Sequence, residues 1–288
     1  MVNNLIFLVV SITISTFCLF SDVRASTLFA GVGNDGYVSD VQGLYNAMIQ
    51  IPVFSSLSDK HIHSDLSGSD IRLSIKALAG DLAPGDTLIW FYSGHGRLVP
   101  DDSGGDETAP NAFSSDPHDE AIGLLHEYHG LIDDELSKAF ISISSLGVHV
   151  IAIFDMCHAG GMIGGTEDLN SVQDLTLLAS SMEIEQSYGY SDAPYSLFTQ
   201  GLIDGLSAFM ADSNGDDILT TKEWFDYAYD YTVNNVSNQH PVFWGDDVEL
   251  ASMASVPLCP SSLFLMLGVI VLKLCPGDRG LFEVVTKL

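Results

Sequence analysis

Two residues in this chain can act as a nucleophile and its base, and each follows an apolar run. Cys157 comes after Val148-His149-Val150-Ile151-Ala152-Ile153-Phe154 and Asp155-Met156, and it opens into His158-Ala159-Gly160-Gly161. His95 comes after Asp86-Thr87-Leu88-Ile89-Trp90-Phe91-Tyr92 and stands between glycines in Ser93-Gly94-His95-Gly96. A thiol at its ordinary pKa is little ionised near neutral pH. An imidazole within reach takes its proton on attack and later gives it to a leaving amine. The pair therefore suits acyl transfer, with Cys157 attacking a carbonyl and His95 as acid and base. The backbone N–H groups of Cys157 and Gly96 are the natural oxyanion donors. Glycine beside His95 lets the main chain come close to a substrate.

Asp155 precedes Cys157 by two residues, so on a strand the two side chains face the same way. An anion there would raise the thiol pKa rather than lower it. It makes more sense as the partner of a cationic substrate side chain; the alternatives are that it orients His95 or is structural. A second constellation lies further on, in Asp212-Ser213-Asn214-Gly215-Asp216-Asp217-Ile218-Leu219-Thr220-Thr221-Lys222-Glu223. Asp212, Asn214, Asp216, Thr220 and Glu223 offer side-chain oxygens at loop positions 1, 3, 5, 9 and 12, and Ile218 offers its carbonyl at 7. That is the spacing of an EF-hand-type Ca²⁺ loop, except that Asp217 stands where glycine makes the sharp turn. Gly31-Val32-Gly33-Asn34-Asp35-Gly36 matches the dinucleotide-binding pattern. Its acidic surroundings, Asp35 and Asp40, oppose a pyrophosphate, so it reads as a tight turn after a strand.

These residues need elements to hold them. Apolar β-branched runs without polar alternation read as strands buried on both faces. Such runs occur at 26–32, 86–92, 148–154 and 174–181, with a weaker one at 60–63 and a last edge strand at 241–244. Helical spacing of apolar residues fits 38–50, capped by Ser39 or Asp40, and also 67–82, 132–144, 196–210 and 224–236. Alternation of strand and helix implies an α/β fold with one mostly parallel sheet covered on both faces. Open α/β sheets place ligands at the carboxyl ends of their strands, where Cys157 and His95 both fall. Residues 97–118 show no periodicity and read as a long acidic loop.

Composition narrows the function. The 38 Asp and Glu against 10 Lys and Arg leave a formal charge of −28. Phosphate backbones are repelled by such a surface, so nucleic-acid binding is disfavoured, while Ca²⁺ and basic peptides are attracted. Residues 1–25 resemble a secretory signal peptide, apolar from Leu5 to Phe20 with small side chains at Val23 and Ala25. Residues 256–275 read as a short hydrophobic sorting or anchor segment, with transient membrane association, followed by a tail at 276–288. Of the four cysteines, only Cys157 lies in the body of the chain. A lone thiol in an exported domain reads as reactive rather than as part of a disulfide scaffold.

Strand–Tyr92-Ser93-Gly94-His95-Gly96 followed by strand–Asp155-Met156-Cys157-His158-Ala159-Gly160-Gly161 resembles the caspase/metacaspase-like peptidases. The likeness extends over most of residues 26–250. Asp119-Glu120, Asp133-Asp134-Glu135-Leu136 and Ser196-Leu197-Phe198-Thr199 fall where bacterial members carry similar segments. Met156 and Ala159 depart from it, standing where serine is common. The resemblance implies a three-layer α/β fold and an endopeptidase working through a Cys157–His95 dyad on peptide or protein substrates; the signal-like residues 1–25 add the expectation of export, and a monomer is expected. It implies that Asp155, Ser93 and Asp40 line a basic-residue pocket, giving cleavage after Arg or Lys. No cofactor is expected for the chemistry, with Ca²⁺ structural or regulatory. The rival expectation is a catalytically inactive caspase-like module that binds Ca²⁺ or partners at the cell surface.

Overall fold

The computed structural model describes residues 25–100, 118–127, 129–165, 167–189 and 192–252. The signal-like segment at 1–25 (apart from residue 25), the 256–275 segment and the 276–288 tail lie outside the described residues, as does the whole acidic stretch 101–117. In chain order the elements are β1 (Thr27–Gly33), α1 (Val38–Met48), β2 (Ile62–Ser64), α2 (Gly68–Leu78) and β3 (Thr87–Ser93). Then come β4 (Arg97–Pro100), β5 (His118–Ile122), β6 (Leu131–Ile132), α3 (Asp133–Ser144), β7 (His149–Asp155) and β8 (Leu175–Ala179). The last are α4 (Leu197–Leu206), β9 (Ile218–Thr220), α5 (Thr221–Asn235), β10 (Val242–Gly245) and β11 (Glu249–Ser252).

Six strands form the central sheet in the order β10-β8-β7-β3-β1-β2. All neighbours run parallel except β10, which closes the edge antiparallel to β8. The apolar runs explain the layering, because successive strand residues point to opposite faces. On one face Leu88, Trp90, Tyr92, Val150, Ala152 and Phe154 pack against Ile71 and Ile75 of α2 and Leu136 and Phe140 of α3. On the other, Ile89, Phe91, Ile151 and Ile153 pack against Leu44 of α1, Phe198 and Leu202 of α4 and Trp224 of α5. This is the mostly parallel α/β sandwich that the strand–helix alternation implies.

Four local expectations change. Residues 97–118 are not loop throughout: β4, β5 and β6 form a small antiparallel sheet. The N-cap of α1 is Tyr37 with no side-chain cap, not Ser39 or Asp40. Asp40 lies one turn in, buried, because its carboxylate is used elsewhere. The helix expected over 196–210 stops at Leu206 and passes through a 3₁₀ turn with left-handed Ala208 (φ 50°) and Phe209 (φ 57°). The strand β11, paired with β9, was not foreseen. The Gly31–Gly36 stretch is the tight turn its acidic setting suggests. A Cβ on Gly33 would lie 2.2 Å from Val38 Cα, so β1 can turn into α1 only with glycine there.

Candidate active site

The site lies at the carboxyl ends of β3 and β7. These strands are neighbours with Ser93 opposite Asp155, so His95 and Cys157 each follow their paired residue by two. The Gly94 N–H donates to the Asp155 carbonyl (3.2 Å), extending the pairing one step past the strands. Gly96 then presses on the main chain of Cys157: a Cβ there would fall 1.9 Å from the Cys157 carbonyl oxygen. Tyr92, fully buried on β3, holds the His95 loop from beneath. Its hydroxyl lies 3.1 Å from the His95 carbonyl and accepts from the Gly123 N–H at 3.3 Å. Cys157 is a half-buried free thiol. Among the described residues, no hydrogen bond takes up the N–H of Cys157 or of Gly96, leaving both donors for a developing oxyanion.

Tyr37 joins the two halves of the site. Its ring packs edge-on against the His95 imidazole with centroids 5.8 Å apart. Burial holds its hydroxyl above the usual phenol range, and the charges of Asp40, Asp155 and Cys157 push it the same way. Beyond Cys157 the chain turns sharply through His158, in the left-handed region at φ 65°. Its N–H donates to the Glu185 carbonyl (2.9 Å), and Nδ1 lies 2.6 Å from the Glu183 carbonyl. Met156 and Ala159, which stand where serine is common, are both buried in the core, and Met156 Cγ packs close to Gly96.

Beside the thiol lies an acidic pair. Ser93 Oγ donates to Asp40 Oδ2 (2.6 Å), and Ser196 donates to the same carboxylate through Oγ (2.7 Å) and N–H (3.1 Å). Asp155 accepts from Ser187 Oγ on Oδ1 (2.6 Å) and from Thr199 Oγ1 (2.6 Å) and N–H (3.0 Å) on Oδ2. Ser196 and Thr199 are the N-cap and third residue of α4, so the positive end of that helix points at both carboxylates. Burial still raises both acids. Asp40 is held above the ordinary carboxylate range, opposed by its serine bonds. Asp155 is pushed up to about 6, first by burial and then by the charge of Asp40. Among the described residues no Lys or Arg pairs with either.

The structure thus brings together His95, Gly96, Cys157, Asp40, Ser93 and Asp155 as the sequence suggests. It adds Tyr37, Ser187, Ser196 and Thr199, which carry no motif of their own. It does not gather the expected Ca²⁺ ligands. Asp212 accepts from the N–H groups of Gly215 (2.8 Å) and Asp217 (3.0 Å), and Asn214 and Asp216 accept from the N–H two residues on. Glu223 closes a capping box with Thr220 at the start of α5. Among the described residues no three His, Cys, Asp or Glu side chains converge to hold a metal ion, while Asp217 takes the left-handed conformation (φ 64°) that the sixth position of such a loop requires. A further group of acids is buried near β5 and α3, where Asp119, Glu120, Asp133, Asp134 and Asp168 lie together. Burial, reinforced by Asp168, pushes the Asp133 carboxyl well above its ordinary range.

The fold and the paired strand ends resemble those of the caspase/metacaspase-like peptidases, and the comparisons find the same likeness. Residues 35–165 match the family model described as the metacaspase peptidase C14 domain. Metacaspase-1 of Schizosaccharomyces pombe is 30% identical over 138 residues, covering 44% of this chain and 30% of that protein. Metacaspase III c of Phaeodactylum tricornutum is 27% identical over 157 residues, covering 54% of this chain and 42% of that protein. The chain therefore spans less than half the length of these relatives. A crystal structure of a Geobacter sulfurreducens protein superposes with a TM-score of 0.50 over 76% of this chain and 92% of its own, at 17% identity, a likeness of fold.

Gly96 supplies a direct test of the geometry. Gly96→Ala places a methyl carbon on the Cys157 carbonyl, so one of the two loops must shift. A displacement of about 1 Å costs on the order of a hundredfold in turnover. Hydrolysis is expected to fall that far while circular dichroism stays native; an active Gly96→Ala enzyme would contradict the close packing.

Proposed function

We propose that the protein is a cysteine endopeptidase that cleaves peptide bonds after Arg or Lys. Cys157 attacks the scissile carbonyl while His95 takes the thiol proton. The N–H groups of Cys157 and Gly96 hold the oxyanion, and His95 then protonates the leaving amine. Water hydrolyses the thioester in the second half, with His95 again as base.

One observation carries the specificity: a buried pair of carboxylates, Asp40 and Asp155, has hydroxyl and amide donors but, among the described residues, no cation. Two like charges held together out of water are costly unless an opposite charge arrives. A guanidinium or ammonium from the substrate supplies it, with Ser93 between the two acids. Fluorogenic peptides ending in Arg, Lys or Asp, given to wild type and to Cys157→Ala, test both parts. Cleavage of Arg and Lys peptides by wild type alone is expected. A better rate on Asp peptides would refute the pocket, and activity surviving in Cys157→Ala would refute the nucleophile.

Calcium modulation is kept as a narrower proposal. Binding at 212–223 requires Glu223 to leave its capping box with Thr220. Calorimetric titration with Ca²⁺ is expected to show heat that Glu223→Gln removes. Heat unchanged in that variant, or none in wild type, would rule this loop out.

A further inference from the structure

The residues that set the state of Asp155 reach beyond the site described so far. Gln239 lies between α5 and β10, fully buried, and its side-chain amide is completely used. Its Oε1 accepts the Tyr188 N–H (3.0 Å). Its Nε2 donates to the Ser180 carbonyl at the end of β8 (2.9 Å) and to Ser187 Oγ (3.2 Å). Ser187 Oγ in turn donates to Asp155 Oδ1. A hydroxyl has one proton. Because Ser187 receives a donor from Gln239, that proton is committed to Asp155. The next residue fastens the same segment: His240 N–H and Nδ1 both meet the Glu185 carboxylate, at 2.7 and 2.6 Å. Glu185 also accepts the His158 N–H through its carbonyl, one residue past the nucleophile.

We infer that Gln239 is a specificity-determining positioning residue, which through Ser187 keeps the Asp155 carboxylate an acceptor aimed at a cationic substrate side chain. The inference rests on the basic-residue pocket proposed above and says how that pocket is held. Every donor on Asp155 then favours the ionised form: Ser187 Oγ, Thr199 Oγ1 and Thr199 N–H. Were the Ser187 proton to turn away, a fully buried carboxyl beside Asp40 would have one donor fewer to offset burial. Ser187 and Gln239 both lie outside residues 35–165, the segment that matches the metacaspase model.

Gln239→Glu is the decisive variant. It keeps an acceptor for Tyr188 N–H but has no donor, so the Ser187 hydroxyl can turn to it instead of Asp155. For an Arg-terminated peptide, KM is expected to rise about tenfold with kcat within about twofold, since the change touches binding of the cation rather than the thiol. Ser187→Ala is expected to do the same, and the double variant to do no worse than either single one, because both cut one relay. A general loosening of the fold would lower kcat as well, and additive losses would mean separate roles; either result overturns the inference, as does an unchanged KM. If Gln239→Glu fails to fold, Ser187→Ala, which removes the same proton from Asp155, carries the expectation. Wild-type enzyme that does not prefer basic peptides overturns the pocket and this inference with it. Preference intact in wild type and undisturbed in the variants overturns the inference alone.

Discussion

Cys157→Ala is expected to abolish hydrolysis of Arg-terminated peptides, by at least about a thousandfold, with thermal stability nearly unchanged. The thiol is half-buried and makes no hydrogen bond among the described residues, so its removal leaves little unpaired. His95→Ala should cost nearly as much, because the two act as one unit and their losses do not add. The double variant is therefore expected to be no slower than Cys157→Ala. Alkylation gives an independent reading: a thiol-directed reagent should label wild type at Cys157 and label His95→Ala more slowly. The other three cysteines lie outside the described residues, so Cys157→Ala is also the control for their labelling. Hydrolysis persisting in Cys157→Ala at a tenth of the wild-type rate would eliminate the dyad outright.

The dyad was legible because each half follows a continuous apolar strand. Val148–Phe154 and Leu88–Tyr92 cannot alternate polar and apolar residues, since both faces of the sheet are covered. Asp40, Ser93 and Asp155 were legible too, through motifs at the ends of the same strands and the first helix. The far wall of the pocket was not. Ser187, Ser196, Thr199 and Gln239 are small or neutral polar residues on three separate segments. They meet because α4 aims its N-terminus at the site and because the stretch before β10 returns beside β8. Nothing in their local spacing announces this. The strands β4, β5 and β6 were missed for another reason: Arg97–Pro100 and His118–Ile122 are short and mixed, and proline ends the first. At 212–223 one set of residues supports two readings. Thr220-x-x-Glu223 is a capping box as well as the last ligands of a Ca²⁺ loop, and the fold uses the cap.

Selectivity for a basic side chain is expected to disappear as the pH falls through about 6. The Asp155 carboxyl is raised from 3.8 to about 6 by burial and by Asp40, so below that pH the free enzyme presents a neutral acid to the incoming cation. The rate alone would not isolate this, because pH also acts on the chemical step. The ratio of kcat/KM for an Arg peptide over its uncharged citrulline counterpart cancels that contribution. That ratio should be flat above about pH 7 and fall about tenfold per unit well below 6. A bound guanidinium favours the ionised carboxylate, so at saturating substrate the fall moves to lower pH. Asp155→Asn removes the charge with little change of shape. It is expected to lower kcat/KM for the Arg peptide by about a hundredfold or more, since the Arg charge would enter the pocket with one of its two partners gone. Its Arg-to-citrulline ratio should no longer fall at pH 6. Stability moves the other way. An acid raised on folding binds its proton more tightly in the folded state, so wild type gains stability relative to Asp155→Asn as the pH drops from about 7 to about 5. Tighter folding accompanied by weaker discrimination over the same interval is the signature of a carboxylate buried to receive a cation. If the Arg-to-citrulline ratio were independent of pH in wild type, Asp155 would have to be assigned a structural role.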